Sequence, residues 1–223
     1  MKVYMNWTYK GNKKPTCVFH SDVMDAKDAL AIAVDLEKTG RAFSFQFIDE
    51  QSVSWNKKEL NKLLEEIQDE PQEVKVYFDA GYLKDEKRAG IGVIVYYKQN
   101  EKWIRKRVNK ELEGLVSNNE AEYAAFYEGL CQLEELQVHH QTCEFFGDSQ
   151  VVLNQLAGEW ACLDTGLNAW LDRIEEKIRH LSIRPVYSPI SRKLNKKADL
   201  LAMQALQGTI IDSMMSIEEK ELL

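Results

Sequence analysis

Cysteine is scarce and unpatterned in this chain: Cys17, Cys131, Cys143 and Cys162 show no Cys-x-x-Cys spacing. That excludes a disulfide framework and a zinc ribbon, and leaves reduced, mostly core thiols as the expectation. Histidine offers no metal-ligand spacing either, and the adjacent His139-His140 pair reads as solvated surface at a helix end or loop. An excess of positive charge is also missing. The formal net charge of -7 argues against broad non-specific binding to DNA or RNA, because phosphate contacts supply most of that affinity. Two local basic sets remain, Lys102, Arg105, Lys106 and Arg107, and Arg192, Lys193, Lys196 and Lys197; each is either a footprint for a polyanion or an ordinary solvated face. No apolar stretch approaches membrane-spanning length, and Met1 to Asn6 lacks an apolar signal core. The expectation is a cytoplasmic protein with no membrane partner.

What is present is enough chain for one medium core and a small satellite: 223 residues, 44% hydrophobic. A polar break at Gln68 to Glu73, containing Pro71, divides them. Before it the pattern predicts strands Lys2 to Tyr9 and Thr16 to His20, a helix Asp25 to Lys38, a strand Ala42 to Ile48 and a helix Asn56 to Ile67. The expected domains are a small α+β (ββαβα) unit over 1–68, a linker over 69–73, a larger α/β domain over 74–208 and a tail over 209–223. Residues 1–72 carry 10 basic and 12 acidic side chains, so the small unit is not an obvious basic clamp. Trp7, Tyr9 and Phe45 are there either to stack bases or to fill a core. The tail from Ile210 to Leu223, rich in Met and Glu, reads as a terminal helix.

Four carboxylates sit at junctions in the larger domain. The run Val74 to Asp79 alternates as a strand that Asp79 closes, Ala80-Gly81 read as a turn, and Gly90 to Tyr97 read as an antiparallel return. Ser117-Asn118-Asn119-Glu120 opens a helix to about Leu136 with a capping box, which explains Glu120 but not Glu122. Glu122 shares a stripe with Ala125, Phe126, Gly129 and Leu133, the face such a helix buries, where an unpaired carboxylate is costly or protonates. Asp148 follows an apolar strand at Gly147 and stands either as a helix N-cap or as a functional acid, with Gln150 in the first turn behind it. Asp199 falls above Ala202, Met203 and Leu206, again toward the apolar side of its helix. Each acid alone has a structural explanation; the set of four is the pattern required by two-metal phosphoryl transfer, in which hard oxygen ligands hold Mg²⁺ or Mn²⁺. Clustered carboxylates repel, so raised pKa values and stabilisation by metal are expected.

The order Asp at the first strand, Ser-Asn-Asn-x-Ala-Glu-Tyr at a helix start, Asp-Ser-Gln after a strand and Asn-x-x-x-Asp-x-Leu-Ala in the last helix resembles type 1 ribonuclease H, in its bacterial and archaeal subgroup. The resemblance covers about Val74 to Leu206. It implies a five-stranded mixed sheet with helices on both sides, and two Mg²⁺ or Mn²⁺ ions held by Asp79, Glu122, Asp148 and Asp199. It also implies minor-groove contacts to an RNA/DNA hybrid from Asn118, Asn119 and Gln150, and a phosphate contact near Ser117. Neutral amides suit a groove lined with 2′-hydroxyls. The first motif departs from the family, with Asp79-Ala80-Gly81 in place of Asp-Gly. Ser188 to Leu194 holds no His, although Arg192 and Asn195 fit the Arg-x-x-Asn of His-lacking relatives, and the basic substrate handle is replaced by Glu159 to Asp164. Some family members carry an N-terminal hybrid-binding domain with a similar ββαβα order, and the match here is to topology alone. The functions implied are an endonuclease cutting the RNA strand of hybrids, a binding or interaction protein of the same fold with little turnover, and a nuclease acting on structured RNA or a ribonucleotide junction.

Overall fold

The computed structural model describes residues 1–222 and divides them by internal contacts into residues 1–69 and residues from 70 onward. In the first unit, β1 (Lys2–Tyr9) is the centre of an antiparallel sheet. It pairs with β2 (Cys17–His20), with the short β3 (Met24–Asp25) and with β4 (Ala42–Asp49), and β4 pairs with β5 (Ser54–Trp55). Helices α1 (Ala26–Lys38) and α2 (Lys57–Asp69) bury Ala26, Ala29, Leu30, Ala33 and Leu60 with Val3, Met5 and Phe47 from the sheet. Trp7 and Phe45 pack against this core, and Trp7 stacks on Phe19 at 5.6 Å, so these rings are engaged inside the unit. Opposite Trp7 the ladder carries a bulge in which Ser44 takes a φ of 54°.

The second unit is a six-stranded mixed sheet in the order β10 (Arg184–Pro189), β9 (Thr142–Gly147), β6 (Gln72–Leu83), β7 (Arg88–Gln99), β8 (Lys102–Glu113), β11 (Asp212–Ile217). The β6, β9 and β10 strands run parallel, and β6, β7, β8 and β11 form an antiparallel meander. Helix α3 (Asn118–Glu135) covers one face against β6 and β7, backed by α5 (Thr165–Leu181); α6 (Arg192–Leu206) covers the other, and the short α4 (Gln150–Leu156) follows β9. Central strand β7 is buried on both faces, as its unbroken apolar run requires. Two glycines let α6 lie directly on it. A Cβ at Gly92 would stand 2.3 Å from the Ala198 carbonyl oxygen, and one at Gly90 would stand 2.1 Å from that of Ala202.

Two expectations fail. Asp79 does not close its strand: β6 continues in register with β7 to Leu83, Asp79 lies opposite Gly92, and the turn comes at Lys84 to Lys87. The tail is not a helix but the strand β11, followed by a 3₁₀ turn over Glu219–Glu221, while Leu223 lies outside the described residues. The reason is tertiary. Asn109, buried in β8, donates from Nδ2 to the Leu201 and Thr209 carbonyls and accepts at Oδ1 from the Ile211 N–H, which stitches the chain after α6 onto the edge of β8. The four cysteines are free; Cys143 is buried, Cys131 and Cys162 are half-buried, and Cys17 is exposed rather than in a core.

Candidate active site

Four elements converge at one end of the parallel half of the sheet. Asp79 comes from β6, Glu122 from the first turns of α3, Asp148 from the residue after β9, and Asp199 from α6. Carboxylate oxygens of Asp79, Glu122 and Asp148 all lie within 4.8 Å of one another. Asp199 lines the same cavity of about 310 Å³, with Ala80, Asn118 and Arg192 completing its wall. Local structure explains the convergence. Ser117 caps α3 by accepting from the Glu120 N–H at 3.1 Å, and Glu120 reaches back to the Val116 N–H and to Trp170 Nε1, so the helix starts rigidly with Glu122 turned inward. Ser149, not Asp148, occupies the N-cap position of α4, and the Asp148 carboxylate makes no cap bond; it accepts from Arg192 Nε at 3.1 Å. The structural explanation for Asp148 therefore does not hold.

Electrostatics mark the cluster as unbalanced. Asp79 and Glu122 are 7% and 5% exposed, and neither makes an ion pair among the described residues. Burial first, then the Asp148 and Asp199 carboxylates, push the Asp79 carboxyl up to about 7. Burial again, followed by Asp79 and Asp148, holds Glu122 well above the usual carboxylate range, with Arg192 pulling the other way. Arg192 is a weak counter-charge, since its side chain is 95% exposed. Buried hard oxygen donors facing one another without a fixed cation fit a divalent ion of the Mg²⁺ or Mn²⁺ type, and Asp79, Glu122 and Asp148 are the residues that would hold it.

The other residues singled out from sequence fall into three groups. Asn118 and Arg192 line the cavity; Ser117, Asn119 and Gln150, at the starts of α3 and α4, are not among its lining residues, and Asn118 and Gln150 are exposed. Asn195 does not reach the surface. It is 1% exposed and donates from Nδ2 to the Phe78 carbonyl at 2.9 Å, so it ties α6 to the strand one residue before Asp79 instead of touching a ligand. Asp199 is exposed, not on the buried stripe, because α6 buries Asn195, Ala198, Leu201, Ala202 and Ala205 and leaves Met203 47% exposed. Ala80 is the lining residue that sequence reasoning passed over; it sits beside Asp79 because β6 runs on, and no sequence signal distinguishes it. The His139-His140 pair is exposed, as expected.

Comparison with known proteins bears on the family and the fold. The family described as "Reverse transcriptase-like" matches residues 77–205. A Bacillus subtilis (strain 168) protein, "Uncharacterized protein YpeP", is 40% identical over 195 residues, covering 87% of this chain and 86% of the relative. Among solved structures, RNase H1 from the halophilic archaeon Halobacterium salinarum NRC-1 is 26% identical, covers 60% of this chain and 98% of its own, and superposes with a TM-score of 0.52. LC11-RNase H1 in complex with an RNA/DNA hybrid shares the fold at 21% identity, covering 61% of this chain and 98% of that one, with a TM-score of 0.52. No helix among the described residues is long and apolar enough to cross a membrane.

Proposed function

The chain belongs to the reverse transcriptase-like family with the ribonuclease H fold, and we propose that within it the protein is a metal-dependent endonuclease that hydrolyses the RNA strand of RNA/DNA hybrids. The observation that carries this reading is the meeting of Asp79, Glu122 and Asp148 within 4.8 Å, with Asp199 on the same cavity wall. Four carboxylates from four separate elements, with no buried cation beside them among the described residues, repel one another until protons or divalent positive charge are held between them.

When bound, two divalent ions of the Mg²⁺ type would supply an activated water and stabilise charge on the leaving oxygen. The chain's own residues do the remaining work. Asp79, Glu122, Asp148 and Asp199 present the donor oxygens, fixed by strand, helix and the Asn195 bond to the Phe78 carbonyl. Asn118 on the cavity wall, with Asn119 and Gln150 at the starts of α3 and α4, would offer amides able to accept from and donate to 2′-hydroxyls and base edges, which selects an A-like strand. Ser117 lies next to them, and Arg192, swinging from a mostly solvated position, brings a guanidinium to a phosphate oxygen. Water adds to phosphorus, the bond to the 3′-oxygen breaks, and that oxygen takes a proton, leaving 3′-hydroxyl and 5′-phosphate ends.

Cleavage of a labelled RNA/DNA hybrid, beside double-stranded RNA and single strands, with Mg²⁺, Mn²⁺ or chelator, tests the proposal. Metal-dependent cutting confined to the hybrid and lost in Asp148→Asn supports it. Well-folded protein that cuts nothing in either metal contradicts it and favours a binding protein of the same fold, the reading with which the acidic net charge is most easily reconciled.

A further inference from the structure

The basic run on β8 splits by strand alternation into two sets with different surroundings. Lys106 and Lys110 turn toward α3 and are neutralised there: Lys106 by Asp212 at 2.8 Å and Glu135 at 3.8 Å, Lys110 by Glu128 at 2.7 Å. Arg105 and Arg107 turn toward the α6 face, two positions apart on one strand and hence about 7 Å from each other. Neither makes an ion pair among the described residues, whereas Arg88 bridges Glu86 and Glu111, Lys98 reaches Glu73 and Glu101, and Lys177 reaches Glu134. What the two arginines do meet is the added strand. Arg107 Nε donates to Ser213 Oγ at 3.2 Å, and Arg105 Nη2 lies 3.0 Å from the Met215 sulfur, each across from its register partner in β11. The Arg105 Nε is buried with no hydrogen-bond partner.

Nearby acids are committed elsewhere: Asp212 to Lys106, Glu218 to Lys220 at 2.5 Å, and Glu221 to the Glu218 N–H. A third cation stands on the same face. Lys197 of α6 lies over the ring of Tyr96, the residue opposite Arg105 on β7, and its helix also carries Asp199. The family match ends at residue 205, so the β11 side of this arrangement lies outside the part of the chain that the family describes.

We propose that Arg105 and Arg107, held by β11, form a phosphate-binding platform for the backbone of the nucleic acid that this protein acts on, outside the carboxylate cavity. Guanidinium forks with free donors suit phosphate oxygens, and paired positive charge on one face supplies local affinity that the net charge denies the molecule as a whole. The inference rests on the nuclease reading for the identity of the polyanion.

The test is binding of a labelled RNA/DNA hybrid to full-length Asp148→Asn protein across a salt series, with and without Arg105→Gln/Arg107→Gln. Affinity should fall about tenfold in the combined variant, and the slope of log affinity against log salt should become shallower by about 2. Lys106→Gln should leave both unchanged. Ser213→Glu, which sets a carboxylate against Arg107 while keeping both arginines, should also weaken binding, so the inference survives a fold defect in the double variant. A folded double variant and a Ser213→Glu protein that keep wild-type affinity and slope overturn the platform. If the protein with intact acids still cuts the hybrid in that case, the nuclease reading stands without it; if neither binding nor cutting of the hybrid occurs, both fall.

Discussion

Two aspartates of nearly equal burial, Asp49 in the first unit and Asp79 in the second, are 8% and 7% exposed and yet titrate in opposite directions. Asp49 accepts from Trp55 Nε1 and from the Gln51 and Val53 N–H groups, and these donors hold its carboxyl below the usual value. For Asp79, burial first and then the Asp148 and Asp199 carboxylates raise the carboxyl to about 7, with no side-chain N–H donor to offset them. Burial alone therefore does not mark a functional acid. The company it keeps does: N–H donors close a turn, and other carboxylates leave a charge deficit for a ligand to fill. Four other acids of the first unit stand at the surface beside lysines, Asp25 by Lys2, Asp35 by Lys38, Glu37 by Lys57 and Glu66 by Lys62.

The largest effect should come from breaking the second partner set. Asp148→Asn is expected to lower hybrid cleavage at least roughly a hundredfold while leaving the fold intact, measured by single-turnover cleavage beside a thermal melt. Gly92→Ala should follow, because a methyl there meets the backbone of Ala198 and Ala202 and must lift α6, with Asp199 and Asn195, off β7. A loss of about 3 kcal/mol or more in denaturant unfolding, together with weakened activity, is expected. Asp49→Ala should loosen the first unit by orphaning its Trp55, Gln51 and Val53 donors, read as faster amide exchange in residues 49–55. Metal-free Asp79→Asn should instead gain stability, since it relieves repulsion instead of deleting a partner.

The smallest effect is a pH profile that separates the two aspartates. In metal-free protein Asp79 keeps its proton up to about 7, whereas an unfolded Asp loses it near 4. The fold then binds more protons than the unfolded chain between those values, and stability falls as pH rises through that window. Glu122 acts in the same direction. Asp49 has a lowered carboxyl, so its contribution is present above the unfolded value and is lost as pH falls through its folded value. Thermal melts from pH 4 to 8 should show a decline that Asp79→Asn flattens and Asp49→Asn does not.

Legibility in the sequence followed the same division between local and tertiary causes. Glu122 was readable because Ala125, Phe126, Gly129 and Leu133 define a buried helical stripe that α3 does bury, apart from any knowledge of its neighbours. Alternation and turn residues, which are local, made the order of the first unit readable apart from the two-residue β3 and β5, and in the second unit β6, β7, α3, β9, α4 and α6; β8, α5 and β10 were not readable this way, and the mixed sheet there followed only from the family resemblance. Asp199 lies on the exposed side of α6 and not on the apolar side expected, because Met203 looks like core yet is exposed, while the buried stripe runs through Asn195, Ala198, Leu201, Ala202 and Ala205. Asn195 looked like a polar residue aimed at a ligand and instead anchors α6 to the Phe78 carbonyl. The β11 strand was unreadable from its Asp-Ser-Met-Met-Ser-Ile sequence; it exists because Asn109 on another strand captures Ile211 and Thr209.

The acids around Asp79 are unbalanced until a divalent cation joins them, and a thermal melt of metal-free protein titrated with Mn²⁺ or Mg²⁺ at pH 7.5 tests this directly. The wild type should melt progressively higher as metal is added, with Asp79→Asn more stable than wild type without metal and nearly unresponsive to it. Folded wild-type protein whose melting temperature ignores millimolar Mn²⁺, or an Asp79→Asn protein that responds as the wild type does, would contradict it.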